Sequence, residues 1–148
     1  MDVKAQLNEA LKAAMVAKDS ARRDVIRLMQ SAVKQVEIDS QKTLADDDVL
    51  TILQKEVKKR RESADEARKA GREDIATSEE AEIAIIETFL PRQLTREEIA
   101  AIVRQTIEQT GVTSPKEMGK LMGALMPKIK GIADGKLVNE VVREQLSS

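Results

Sequence analysis

Apolar residues recur at spacings of three and four along most of the 148-residue chain. This spacing places them on one face of a helix, so each run predicts one amphipathic helix. Four runs precede Pro91 and three follow it; they begin at Val3, Val25, Val49, Ile75, Ile99, Met118 and Leu137. The pattern predicts an all-α protein, in which an N-terminal four-helix part is followed by a C-terminal three-helix bundle.

Polar residues at the ends of these runs match known helix-capping signals. Asp19 or Ser20 can cap the second helix, and the acidic run 46–48 suits the positive end of the third. Thr95 and Glu98 have the spacing of a capping box for the fifth helix. The helix ends are therefore predicted from capping chemistry as well as from periodicity.

Pro91 predicts the boundary between the two parts, because a proline ends a helix and the short link after it precedes the capping box. We expect an N-terminal helical domain over residues 1–90 and a C-terminal three-helix domain over residues 91–148. Each part has enough apolar residues for its own core.

Two segments have patterns that differ from an ordinary amphipathic helix with one buried face and one exposed face. Residues 58–70 are almost all charged or alanine, which predicts that the third helix extends past the core as a solvated rod ending near Gly71. Gly119 and Gly123 form a G-x-x-x-G pair in the sixth helix, which predicts close packing of another helix.

The composition removes the side chains that most enzymes use. The chain has no His, Cys or Tyr, and Phe89 is its only aromatic residue. His and Cys are the commonest acid-base groups and nucleophiles, and they are also the principal transition-metal ligands. We therefore expect no catalytic residues, no metal site and no cofactor.

The segment from Gly131 to Lys136 resembles a phosphate loop but departs from it. Three residues separate its glycines where a P-loop has four, and Leu137 replaces the magnesium-binding hydroxyl residue. An inter-helix turn in which Asp134 caps the seventh helix is the favoured interpretation. Lys136 would still lie beside a helix N-terminus, where a phosphate can bind.

Charge is distributed unevenly although the net charge is only −1. The sixth helix and the following turn contain five lysines against Glu117 and Asp134: Lys116, Lys120, Lys128, Lys130 and Lys136. A second basic stretch, Lys55 and 58–61, lies in the third predicted helix. Each stretch is either an ordinary solvated face or a surface for an acidic partner.

Nothing in the sequence indicates export or membrane insertion. No apolar run approaches the roughly 20 residues that span a bilayer, and residues 1–4 lack a signal-peptide pattern. The absence of cysteine fits a reducing compartment. The expectation is a cytoplasmic protein without membrane contact.

Several ordered motifs make the chain resemble the YqeY family. They are Leu90-Pro91-Arg92-Gln93-Leu94, Met118-Gly119-Lys120-Leu121-Met122 and the run from Lys128 to Asn139, with Lys58 to Ser63 and Gly71 to Ile75 upstream. The resemblance implies a C-terminal part similar to the tail domain of the B subunit of the tRNA-dependent amidotransferase, where the tail is associated with tRNA. In that enzyme catalysis lies in other domains, so the resemblance implies that this chain binds tRNA and has no catalytic residues.

Two kinds of partner are therefore predicted. A tRNA would be contacted through its backbone by a set of exposed cations: Lys120, Lys128, Lys130, Lys136 and Arg143. A protein partner would instead dock on the methionines of helix six, Met118, Met122 and Met126, for which core packing is the competing interpretation. Both alternatives stay open at this stage.

Overall fold

The computed structural model describes residues 2–147, and within that range all regular secondary structure is helical. The all-α prediction is confirmed. The helices are α1 Val3–Val16, α2 Ser20–Ser40, α3 Asp46–Lys69, α4 Glu73–Glu87, α5 Arg96–Thr110, α6 Met118–Ile129 and α7 Gly135–Ser147, with a single 3₁₀ turn at Pro115–Glu117. The chain forms two compact units, Met1–Pro91 and Arg92–Ser148.

Two acidic residues at helix starts of the N-terminal unit have different roles, since one caps its own helix and the other bonds to another helix. Asp19, rather than Ser20, caps α2 by accepting a hydrogen bond from the Arg22 N–H at 3.1 Å. Asp46 begins α3, yet its carboxylate accepts from the Val3 N–H at 3.0 Å. Because that N–H is in the first turn of α1, Asp46 ties the start of α1 to the start of α3.

The core of the N-terminal unit is aliphatic and draws on all four helices. Its largest fully buried side chains are Leu7, Ile26, Met29, Leu53 and Ile86. Phe89, the only aromatic residue, is buried at the edge of this core, and the Arg22 guanidinium lies 5.4 Å from its ring centroid. A cation at that distance is attracted by the negative face of the ring.

The prediction that α3 ends as a solvated rod is wrong. Ala64 and Ala67 are buried and form a small cluster with Ala76 of α4. Alanine side chains are short, so the two helices can approach closely without a stripe of large apolar residues. Ile75 was expected in the buried stripe of α4, but it is 39% exposed, and Ala76 takes the inward position instead.

The C-terminal unit has a separate core, built around Ile99, Val103, Leu121, Leu125 and Val138. The capping box is confirmed: Thr95 Oγ1 accepts from the Glu98 N–H at 3.2 Å. Arg92 donates two 2.8 Å hydrogen bonds to the Glu98 carboxylate, and this pairing is the main reason that the pKa of Glu98 is lowered.

The turns before α6 and α7 are stabilised in different ways. Asp134 caps α7 as predicted, accepting from the Leu137 N–H at 3.2 Å, and Gly131 supplies the left-handed φ of +84°. Ser114 makes no side-chain cap, and a 3₁₀ turn precedes α6. Glu117 instead accepts from Thr113.

Candidate nucleic-acid interface

The five predicted contact residues are all exposed in the C-terminal unit. Lys120 and Lys128 lie on α6, and Lys130 is the residue that ends it. Lys136 is in the first turn of α7, and Arg143 lies two turns further along the same helix.

The outer face of α7 carries two exposed cations, Lys136 and Arg143. Lys136 and Arg143 are seven residues apart, which places them on one face about 10 Å apart along the helix axis. No ion pair joins either cation to a residue in the described range 2–147. Exposed Asn139 lies near this face and adds an amide that can donate to a phosphate oxygen.

The acidic residues of α7 point to a different neighbour. Glu140 and Glu144 both pair with Arg96 of α5, the former at 3.4 Å. Arg96 therefore offsets one of the two negative charges of α7, and both carboxylates remain about half-exposed. Lys136, Arg143 and Arg96 together exceed these two carboxylates by one positive charge.

Lys128 differs from the other predicted contacts because its ammonium group is engaged within the unit. Its Nζ donates to Thr106 Oγ1 at 3.1 Å and to Gln109 Oε1 at 2.7 Å, both on α5. Thr106 is completely buried. Lys128 thus fastens α6 to α5, and a phosphate would have to compete with these hydrogen bonds.

The exposed face of α6 contains two glycines and therefore lacks side chains at these positions. Gly119 and Gly123 are both exposed, and a methyl group placed on either α carbon would meet no atom of another element within 4 Å. The prediction that another helix packs closely on this pair is therefore wrong for the part of the chain described. Lys120 and Met126, which is 42% exposed, lie on the same side.

The methionines of α6 are divided between core and surface. Met118 and Met122 are half-buried and pack against the core of the C-terminal unit. This position agrees with the core-packing interpretation for those two residues. Met126 is the member of the set available to a partner.

The second basic stretch, on α3, is largely compensated by carboxylates. Arg60 and Arg61 pair with Glu82 and Glu87 of α4, and Lys59 lies 3.9 Å from Glu56. These pairs account for most of the positive charge of that stretch. The α7 face therefore has the stronger electrostatic case for an acidic ligand.

The acidic residues do not assemble into a metal-binding cluster anywhere in residues 2–147. Over the same range, none of the helices combines the length and the apolar character required to cross a bilayer.

Replacing Gly119 and Gly123 together by alanine is expected to raise the free energy of unfolding by roughly 1–2 kcal/mol. Each alanine removes the entropic cost of a helical glycine, about 0.5–1 kcal/mol, and the structure has space for both methyl groups. Urea denaturation followed by circular dichroism measures the change. Gly111→Ala is the control; it should destabilise, because Gly111 has a φ of +71°. A loss of stability in the double variant would contradict the prediction.

Similar proteins carry two informative names. One is "Altered inheritance of mitochondria protein 41, mitochondrial". The Vanderwaltozyma polyspora protein of this name is 40% identical, and the match covers 57% of this chain and 46% of that protein. The Pyrenophora tritici-repentis protein is 28% identical, and the match covers 94% of this chain and 78% of that protein. The other is the E subunit of glutamyl-tRNA(Gln) amidotransferase from Thermococcus sibiricus, 46% identical over 48 residues, or 32% of this chain and 8% of that protein. The chain spans about half the length of the first of these relatives.

The names of these relatives contradict the expectation of a cytoplasmic protein. Five similar fungal proteins, the two above among them, are called mitochondrial. A lack of cysteine is compatible with any reducing compartment and does not distinguish one from another, which is why the expectation was wrong.

A family model confirms the resemblance found in the motifs. The model, described as Yqey-like protein, matches residues 4–146 and therefore covers both compact units. The match to part of an amidotransferase supports the relation of this family to the tRNA-dependent amidotransferases. The chain belongs to the YqeY family.

Proposed function

We propose that this protein is a non-catalytic module that binds tRNA through the sugar-phosphate backbone, with the outer face of α7 as the main contact. The observation that carries the proposal is the exposed pair Lys136 and Arg143, which lack acidic partners in residues 2–147 while Arg96 holds Glu140 and Glu144. Exposed cations that are not held in ion pairs attract phosphates.

The side chains of this surface would recognise the shape of an RNA backbone rather than the identity of its bases. Ammonium and guanidinium groups bind phosphates of any sequence, and stacking on bases requires aromatic side chains that the chain lacks apart from Phe89. Lys120 and Lys130 would extend the contact from α7 toward α6. The amidotransferase relative is named for its action on a tRNA, which supports tRNA as the class of RNA.

Reversing two charges should weaken this binding. K136E/R143E is expected to lower the affinity for tRNA at least tenfold and to reduce the slope of log K against log salt by about 2, since each lost phosphate contact removes about 1. Fluorescence anisotropy with labelled unfractionated tRNA at several salt concentrations measures both quantities.

The matched control is K12E/K55E, which changes the net charge equally at exposed positions on α1 and α3. It should bind like the unmodified protein. Equal weakening by both double variants would reveal only a net-charge effect, and no tRNA binding at low salt would overturn the proposal. Glutamine-dependent amide transfer by the purified protein alone would contradict its non-catalytic part.

A protein partner docked on α6 is the second candidate function. The exposed side of this helix, with Gly119, Gly123 and Met126, would let another backbone approach closely. A pull-down before and after nuclease treatment separates the two functions. Partners that persist without RNA and are lost with Met126→Glu would favour the protein partner.

A further inference from the structure

The N-terminal unit contains a groove between α1 and α2 that the proposed function does not use. Its volume is about 510 Å³. Leu7 of α1 and Val33 of α2 form the floor, and one rim consists of Arg27, Gln30, Ser31 and Lys34 of α2. Lys4 and Glu37, which form an ion pair, also line the groove.

Two of the charges at the groove already neutralise each other. Lys4 donates to the Glu37 carboxylate, which also accepts from the Leu44 N–H at 2.8 Å. These hydrogen bonds, that from Lys4 first, lower the pKa of Glu37, so the pair stays charged near neutral pH. Arg27 and Lys34 make no ion pair with any residue from 2 to 147. The four charged residues that line the groove therefore have a net charge of about +2, and Lys34 also interacts electrostatically with Glu37.

The groove exposes aliphatic carbon as well as polar groups. Leu7 is only 1% exposed and Val33 only 4%, so these two residues contribute little to that surface. The lining of the groove includes guanidinium, ammonium, amide and hydroxyl donors. These are the groups that contact phosphate oxygens in nucleic-acid complexes.

The spacing of the cations favours an extended anion over a single small one. Arg27 and Lys34 lie on one face of α2, about 10 Å apart along the axis. Arg27 also lines a neighbouring concavity at the α1–α2 turn, together with Lys18, Arg23 and Asp19, and Arg23 pairs with Asp24 at 2.9 Å. Arg27 and Lys34 therefore offer two spaced contacts to a backbone with repeated negative charges.

We propose that the α1–α2 groove is a second phosphate-binding surface, which holds the sugar-phosphate backbone of RNA through Arg27 and Lys34. The inference rests on the proposed function for the class of ligand, but on different residues in the other compact unit. It predicts that RNA contacts the N-terminal unit as well as the C-terminal one.

The test compares R27E/K34E with K12E/K55E in the full chain, by anisotropy with unfractionated tRNA. R27E/K34E should weaken binding at least fivefold and reduce the salt slope by about 2, while the control should change neither. Thermal unfolding verifies that the variant proteins remain folded. R27Q/K34Q, which removes charge without adding any, should give a smaller loss in the same direction.

Lysine footprinting gives a second, independent measurement. Bound tRNA should protect Lys34 from acetylation in the unmodified protein and leave Lys12 and Lys55 reactive, as read by mass spectrometry. One outcome separates the two proposals: tRNA binds and K136E/R143E weakens its binding, but R27E/K34E binds like the control and Lys34 stays reactive. In that case the inference of a second surface is wrong and the proposed function stands. If tRNA does not bind at all, both fail. If Lys34 is protected only by a protein that survives nuclease treatment, the groove serves a protein partner and the inference is wrong.

Discussion

Replacing Leu125 by alanine is expected to lower the free energy of unfolding of the C-terminal unit by roughly 2–5 kcal/mol. Leu125 is completely buried in the core of that unit, at the centre of the inward face of α6. Alanine removes the apolar contacts and leaves a cavity that the surrounding helices can close only in part. Because this core is small, the loss is a large fraction of a typical domain's total stability.

Met126→Ala is the matched control for this change, since it shortens the next side chain of the same helix. Met126 is 42% exposed, so its truncation should change the free energy of unfolding by no more than about 0.5 kcal/mol. Hydrogen exchange of the amides of α5, α6 and α7 measures both variants within the unit concerned. Similar losses for the two variants would show that α6 does not face the core as described.

Periodicity was sufficient to predict which way α6 faces. The stripe of Leu121, Leu125 and Ile129 is buried as its spacing requires. The same spacing places Gly119 and Gly123 on the opposite side, but the G-x-x-x-G pattern suggested a packed helix there. The G-x-x-x-G motif shows that another helix could approach the backbone of α6 closely at these glycines. It does not show whether the fold places a helix there.

The packing of α3 against α4 could not be predicted from the sequence, because the buried residues between these two helix segments are alanines. Ala64, Ala67 and Ala76 are buried, yet alanine occurs equally on exposed helix faces, so periodicity gives it little weight. The surrounding charges made the segment look solvated. The ion pairs that join these charges link the two helices, which are distant in sequence at that point.

The candidate site shows a similar division between what sequence does and does not determine. The sequence predicted which cations belong to the C-terminal helices, and all of those residues are exposed. It could not predict that Lys128 bonds to Thr106 or that Arg96 holds the acids of α7, because these contacts join separate helices. The groove between α1 and α2 was missed for the same reason. The spacing of Arg27 and Lys34 on α2 was the available signal.

Replacing Arg60 by alanine is expected to lower the free energy of unfolding by roughly 2–3 kcal/mol. The Arg60 side chain is only 11% exposed; its Nε donates to Glu82 Oε2 at 2.9 Å, and its Nη1 donates to the Glu56 carbonyl at 3.1 Å. Arg60 Nη1 also lies 3.6 Å from the Glu56 carboxylate, so alanine would remove the cation that Glu56 and Glu82 share and leave Glu56 with Lys59 at 3.9 Å. The expected loss lies below the roughly 3–5 kcal/mol typical of fully buried pairs, because Glu82 is partly solvated.

Arg61→Ala is the control, because Arg61 also pairs with a glutamate of α4 but is 59% exposed. An exposed pair of this kind contributes at most about 1 kcal/mol and weakens with salt. Urea denaturation at low and high salt, with a double-mutant cycle on R60A and E82A, measures the difference. Equal losses for Arg60 and Arg61, or no coupling between Arg60 and Glu82, would contradict the prediction. A large loss confined to Arg60, with tRNA affinity unchanged in the folded variant, would establish that Arg60 joins two helices and does not contact the RNA.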